Sequence, residues 1–190
     1  MPYTINDHCH RLAAWAASSS ASASPVCRFK VEKGVAILEA SGFNSGFAAP
    51  DQLPSPQDAD SEHRKWRASV IANAHNVDLE FSHGIAAKLI NCYLKVRFVC
   101  AGHHNHENVK CLHPPIDEVL LQELASQNYG GNARQWRAFR QKRWSKFDSD
   151  TYESVIKLIR QSLPANQSLW EIEQHWSGHQ KARPKLVAMP

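Results

Sequence analysis

The stretch from Gly84 to Cys100 constrains this chain more than any other. Ile85, Ala86, Leu89, Ile90, Cys92, Leu94, Val96, Phe98 and Val99 cover most of the surface of a helix with a 3.6-residue repeat, so other elements must surround it. Lys88, Asn91 and Lys95, at i, i+3 and i+7, form its one polar stripe. A lysine within such a helix is costly to bury unless its stripe faces a cleft. The plainer alternative is a stem lying along apolar surface with its head in water. That alternative is expected for Lys95; for Lys88 both readings stay open.

The rest of the chain also reads as helices. Asn6 or Asp7 caps a first helix reaching about Ser20, with Leu12, Trp15 and Ala16 on one face, and Pro25 punctuates its end. Val31, Val35 and Leu38 predict a second helix over 31–41, closed by Gly42 although weakened by Gly34. Gly46, Pro50, Pro54 and Pro56 mark 44–62 as a loop and a candidate boundary between lobes. A basic helix over 63–75 turns Trp66 and Val70 inward, and a short break at 76–83 precedes the apolar helix. A His-rich loop spans 102–113, after which Pro114 and Pro115 open a helix running to about Ala125. Gly130 and Gly131 mark another loop, and 132–146 reads as a basic helix. Asp150 with Glu153 and Ser168 with Glu171 have capping-box spacing, for helices from Thr151 to Leu163 and from about 169 to Gly178. Residues 181–190 are expected to fray. No alternating strand of useful length and no repeat interrupts the pattern. The expected fold class is therefore all-α, with residues 1–180 as one domain.

Composition narrows the function classes. A chain of 190 residues with 43% apolar and 21% charged residues can bury a core and is neither disordered nor fibrous. Its apolar runs fall short of the ~18 residues that would cross a membrane. A net charge of +4 permits a polyanionic partner without demanding one. Five cysteines in no regular framework point to a reducing cytoplasm rather than a disulfide scaffold. The Ala- and Ser-rich stretch 13–23 follows Asp7, His8, His10 and Arg11 and is broken by Ser18, Ser19 and Ser20, which is not the form of a signal peptide.

Three features bear on chemistry. The tight segment from Leu79 to Gly84 joins two helices, and the free backbone N–H groups at the start of the second helix can form a small anion site suited to a DNA phosphate. Ser82, His83 and Gly84 are the candidate contacts; a hairpin that merely packs two helices is the other reading. Asp117 falls in the first turn of a helix, where the macrodipole and free N–H groups keep a carboxylate ionised, and capping alone would explain it. The segment 132–146 carries Arg134, Arg137, Arg140, Lys142, Arg143 and Lys146 without an acid, with Trp136, Phe139 and Phe147 for its packed side. It fits a DNA-backbone surface, with a solvated basic face as the plainer alternative.

Taken together, His83-Gly84-Ile85-Ala86-Ala87-Lys88 and Pro115-Ile116-Asp117 resemble the helix–hairpin–helix DNA glycosylases, over roughly 63–125. That superfamily places a hairpin, a helix with a catalytic lysine, and a Pro-x-Asp at the start of a further helix. The 29-residue separation of Lys88 from Asp117 is similar to the archaeal 8-oxoguanine glycosylase branch. The hairpin lacks the usual Pro and second Gly, which weakens the phosphate contact more than the Lys–Asp pair. Lys88 through Tyr93-Leu94-Lys95 to His113-Pro114-Pro115-Ile116-Asp117 is also similar to small bacterial proteins of the superfamily, one a phage-defence glycosylase acting on glucosylated hydroxymethylcytosine. The resemblance implies a two-lobed monomer that binds double-stranded DNA and flips a modified or damaged base. Asp117 would stabilise the developing sugar cation, and Lys88 would attack C1′ or only position DNA.

Other constellations compete. Cys100, His103, His104, His106, Cys111 and His113 cluster in one loop and offer tetrahedral zinc ligands, but no spacing matches a familiar finger. No cysteine follows Cys111, which excludes a C-terminal iron–sulfur cluster. The reading therefore assigns neither metal nor cofactor. Trp15, Asn44 and His113 are candidate walls of a base pocket, and Trp170 and Trp176 are expected in the core. The rivals are a non-catalytic helix–hairpin–helix DNA-binding module and a zinc-braced interaction protein.

Overall fold

The computed structural model describes residues 2–24 and 26–178; the expectations for Pro25 and for 181–190 lie outside them. Among the described residues the chain is helical, with no strand. The α-helices are α1 (Ile5–Ser22), α2 (Val31–Ala40), α3 (Ala59–His75), α4 (His83–Leu94), α5 (Glu107–Lys110), α6 (Glu118–Ser126), α7 (Ala133–Lys142) and α8 (Ser149–Ser162). Shorter 3-10 turns cover Pro50–Gln52, Tyr129–Gly131, Trp144–Lys146 and Leu169–His175.

Helix α4 is the centre of the molecule, as its composition demands: every residue from Gly84 to Leu94 is buried. Helices α1, α2, α3 and α8 and the 144–146 turn pack around it. Its continuation is not α-helical. Lys95–His103 winds as a π-helix and ends through Gly102 at φ 94°, a conformation glycine adopts without strain. Arg97, buried on that π-helix, donates to the backbone carbonyls of Phe47 (3.1 Å) and Ser45 (3.2 Å) and so fastens the Pro-rich loop.

Helix α1 turns the side bearing Leu12 and Trp15 outward. Its cap is Thr4, in a capping box with Asp7 rather than a cap by Asn6 or Asp7 themselves. It buries His10, Ala13, Ala14, Ala17, Ser18 and Ala21, while Leu12 and Trp15 stay 53% and 58% exposed. The physical reason is the small-residue face: alanines let α1 lie close against α4, and the large side chains fall on the outer side.

Other boundaries differ from those the sequence suggests. Helix α3 starts at Ala59, so its inner face includes His63 and Arg67 as well as Val70. Pro114 and Pro115 form an extended lead-in, and α6 begins only after Asp117. The basic segment breaks at Arg143, leaving α7 shorter than 132–146. The Ser168–Glu171 capping box is present, but it starts a seven-residue 3-10 turn rather than an α-helix. Asp148, not Asp150, caps α8.

Candidate active site

Lys88 and Asp117 meet. The Lys88 Nζ donates to Asp117 Oδ2 at 2.8 Å, with the two side chains only 8% and 17% exposed. Asp117 is the N-cap of α6, its Oδ1 accepting the Leu120 N–H at 2.9 Å, and the Trp176 indole N–H donates to Oδ2 at 3.0 Å. Burial pushes this carboxyl up, but the Lys88 charge and the hydrogen bonds from Leu120, Lys88 and Trp176 outweigh it and hold Asp117 below the usual range. On its other side the Lys88 ammonium lies 5.3 Å from the centroid of the Trp144 ring. The arrangement keeps an ionised carboxylate fixed beside an amine, with aromatic rings on both flanks.

The loop that delivers Asp117 is held by a buried polar network. Asn91 Nδ2 donates to Pro114 O (2.9 Å) and to Tyr152 Oη (3.0 Å), and its Oδ1 pairs with His63 Nε2 at 2.7 Å. His113 joins through Nδ1 to Tyr152 Oη (3.1 Å) and through Nε2 to Asp60 (2.9 Å), which Arg160 grips with two N–H groups. Burial drives His63 well below the ordinary histidine value. Burial also lowers His113, outweighing the opposite effect of Asp60. The hydrogen bonds from His113 and Arg160 hold Asp60 far below its usual range.

An open cleft of about 730 Å³ is lined by Glu118, Arg137, Arg140, Arg143 and Trp144 among others; Lys88 and Asp117 are not in its lining, and Trp144 and Glu118 are the residues that link it to the pair. Glu118 follows Asp117 in the chain and pairs with Arg140. Arg137 and Arg143 are exposed, as is Lys146 on the next turn. Arg143 has φ 62° and ψ 121°, a strained conformation for a residue with a side chain, and it marks the point where α7 ends and the chain turns to bring Trp144 to Lys88.

The hairpin does not present the expected anion site. Gly84 N–H donates to Phe147 O at 3.1 Å, and Ser82 Oγ accepts the Ile85 N–H while donating to Ser145 O at 2.9 Å. A Cβ on Gly84 would lie 1.8 Å from Trp144 O, so the glycine serves close packing against the 144–147 turn. His83 is partly buried, and burial lowers its pKa. Ser82 and Gly84 are thus engaged within the protein, while the buried Nδ1 of His83 has no hydrogen-bond partner among the described residues.

The three candidate pocket walls do not line the cleft either. Trp15 is exposed on α1, Asn44 is an exposed loop residue whose Oδ1 accepts the Gly46 N–H, and His113 is enclosed in the network above. Two aromatic residues take their place beside the pair: Trp144, which the sequence leaves unmarked, and Trp176, expected only in the core. In the Cys/His loop, His106 pairs with Asp51, the Cys111 thiol lies 3.5 Å from Glu107 O, and Cys100 is exposed. Among the described residues no three His, Cys, Asp or Glu side chains converge to hold a metal, and no helix is long and apolar enough to cross a membrane.

No family model, curated protein or solved structure matches this chain.

Proposed function

We propose that this protein is a DNA glycosylase that flips a modified or damaged base out of double-stranded DNA and excises it. The observation that carries the reading is the buried Lys88–Asp117 pair at 2.8 Å, with Asp117 as the N-cap of α6 and an arginine-lined cleft reached through Trp144 and Glu118. In this reading the region 63–125 is the hairpin lobe, the N- and C-terminal helices form the other lobe, and the protein acts as a cytoplasmic monomer.

The chemistry follows from charge. As the C1′–N bond breaks, its electron pair leaves with the base and positive charge grows on the sugar. The Asp117 carboxylate, kept ionised by its three donors, stabilises that charge. Water then adds to C1′ and gives an abasic site. In the lyase version, Lys88 loses one proton to solvent and its amine attacks C1′ in place of water; the C1′–O4′ bond then opens as a second proton passes from nitrogen to O4′, which leaves a protonated Schiff base. Arg137, Arg143 and Lys146 contact phosphates and hold the duplex over the pair. A non-catalytic DNA-binding module is the second reading, favoured by the same exposed arginines; in it Asp117 serves only as the N-cap of α6 and the ion-pair partner of Lys88.

The test is release of free base from duplexes carrying 8-oxoguanine or glucosylated hydroxymethylcytosine, which also separates a repair role from phage defence. Asp117→Asn is expected to slow release by ~100-fold or more while keeping duplex affinity. Borohydride trapping of wild type but not of Lys88→Gln identifies the Schiff-base route. Equal release by wild type and Asp117→Asn would overturn the mechanism.

A further inference from the structure

We infer that Trp176 is a positioning residue for Asp117, an indole donor that holds the carboxylate oxygen facing Lys88. The inference rests on the reading of Asp117 as the group that stabilises the sugar cation.

The geometry is specific. Asp117 Oδ1 is held by the Leu120 N–H, so the helix start orients one oxygen. Oδ2 is the oxygen that receives Lys88, and the Trp176 N–H reaches the same atom from the opposite end of the chain, 59 residues away, at 3.0 Å. Without the indole, Oδ2 would have Lys88 as its remaining donor among these three, and movement of the lysine toward C1′ would leave the Leu120 N–H on Oδ1 as the one donor of the three still holding the group. With it, Oδ2 keeps a neutral donor while Lys88 moves. A neutral donor also holds the oxygen without cancelling the negative charge that the sugar cation requires.

The C-terminal segment is built to aim this indole. Leu169 and Ile172 anchor the 169–175 turn in the core, and Glu173 on that turn pairs with Lys95 of the π-helix. His175 meets Gln127 Oε1 at 2.7 Å, and Ser177 Oγ donates to Glu123 Oε1 at 2.9 Å, which ties the residues on either side of Trp176 to α6 and its end. Gly178 then covers the ring: a Cβ there would lie 2.5 Å from Trp176 Cζ2. The indole is set between the side-chain ties of its two neighbours and a glycine with no side chain to displace it.

The charged groups around the Asp117 carboxylate come from every side. Lys88 projects from α4, Glu173 with its partner Lys95 lies on the C-terminal side, and Glu118 is next in the chain, held by Arg140 of α7. Trp176 adds a donor to this set without adding charge. Its loss therefore removes stabilisation from the ionised form alone, and the titration of Asp117 moves upward.

The experiment follows the Asp117 carboxyl carbon by NMR titration in the free full-length protein, and the pH profile of base release from the two modified duplexes. Trp176→Phe keeps a ring and removes the donor. Its titration midpoint is expected to rise by about one pH unit, with the acid limb of base release moving the same way and duplex affinity unchanged. Gly178→Ala keeps the donor but pushes the ring, and is expected to shift the midpoint in the same direction; Trp176→His, with a ring N–H, is expected to restore part of it. An unchanged midpoint in folded Trp176→Phe and Gly178→Ala overturns the inference and leaves the glycosylase reading intact. A shifted midpoint in a protein whose wild type releases no base sustains the Trp176–Asp117 coupling and removes the reading on which its catalytic meaning rests.

Discussion

Asn91 lies one turn beyond Lys88 on the polar stripe of α4, and the two residues grip the same loop at points three residues apart. Asn91 donates to Pro114 O at 2.9 Å, and Lys88 donates to Asp117 at 2.8 Å. The first bond involves no ionised partner and is fully buried, so pH and salt leave it in place. It sets the register in which the second, charged bond forms. Pro115 stiffens the link between them by fixing its own φ.

Asn91→Leu is therefore expected to loosen the site as well as the fold. The change leaves Pro114 O and the His63 Nε2 without the partners they have now and removes the amide donor to Tyr152. Each buried group so orphaned costs about 1–3 kcal/mol, so urea unfolding is expected to show a loss of at least ~2 kcal/mol. Base release is expected to fall further than duplex affinity. A loss below ~0.5 kcal/mol would mean that the loop is held elsewhere.

Replacing Arg137, Arg140 and Arg143 together with Ala tests the cleft as a backbone surface. Removing a side chain that neutralises one phosphate is expected to reduce the slope of log affinity against log salt by about 0.9. Arg140 is already neutralised in part by Glu118, so most of the change is expected from Arg137 and Arg143. Fluorescence anisotropy on an unmodified duplex across a salt series measures it. An unchanged slope would make α7 a solvated face.

The buried histidines predict an acid sensitivity with a definite sign. His63 and His113 are held below the ordinary value of 6.5 in the folded chain, chiefly by burial. Above pH 6.5 both are neutral whether folded or not, and they add no pH dependence. Below it the unfolded chain takes up protons first, so stability falls as pH drops, by up to ~1.4 kcal/mol per pH unit for each histidine until the folded values are reached. Asp60, Asp117 and Glu153, all held below their usual range by hydrogen bonds or charge partners, steepen the loss near and below pH 4. Urea unfolding at pH 7.5, 6.0 and 5.0 is the check; equal stabilities across that range would show that the two rings accept protons in place.

Much of the site is legible in the sequence because its signals are local. An apolar helix with one polar stripe singles out Lys88 without deciding whether it is buried, and the aspartate after two prolines falls at a helix start that the structure sets at Glu118, later than the sequence suggests. The features that sequence misplaces have a common physical cause, which is that packing partners lie far away along the chain. Trp15 reads as a candidate pocket wall, whereas close approach to α4 favours Ala13, Ala14 and Ala17 and leaves Trp15 on the outer side. Ser82 and Gly84 carry the signs of a free helix start, but their partners, Ser145 and Phe147, lie more than 60 residues on. Trp176 has no motif at all around it, and only the fold brings it to Asp117.

The close approach at Gly84 has a consequence for how a duplex would be measured. Because the start of α4 is pressed against the carbonyl of Trp144, the arginines of α7 that the glycosylase reading sets on the DNA backbone and the amine of Lys88 share one packed joint instead of meeting across a hinge. The span between them is then a gauge set when the chain folds, before any DNA arrives. A bulkier residue at position 84 would leave both groups present and chemically intact, yet would reset that gauge, so that a backbone correctly gripped would offer its C1′ carbon to the wrong place.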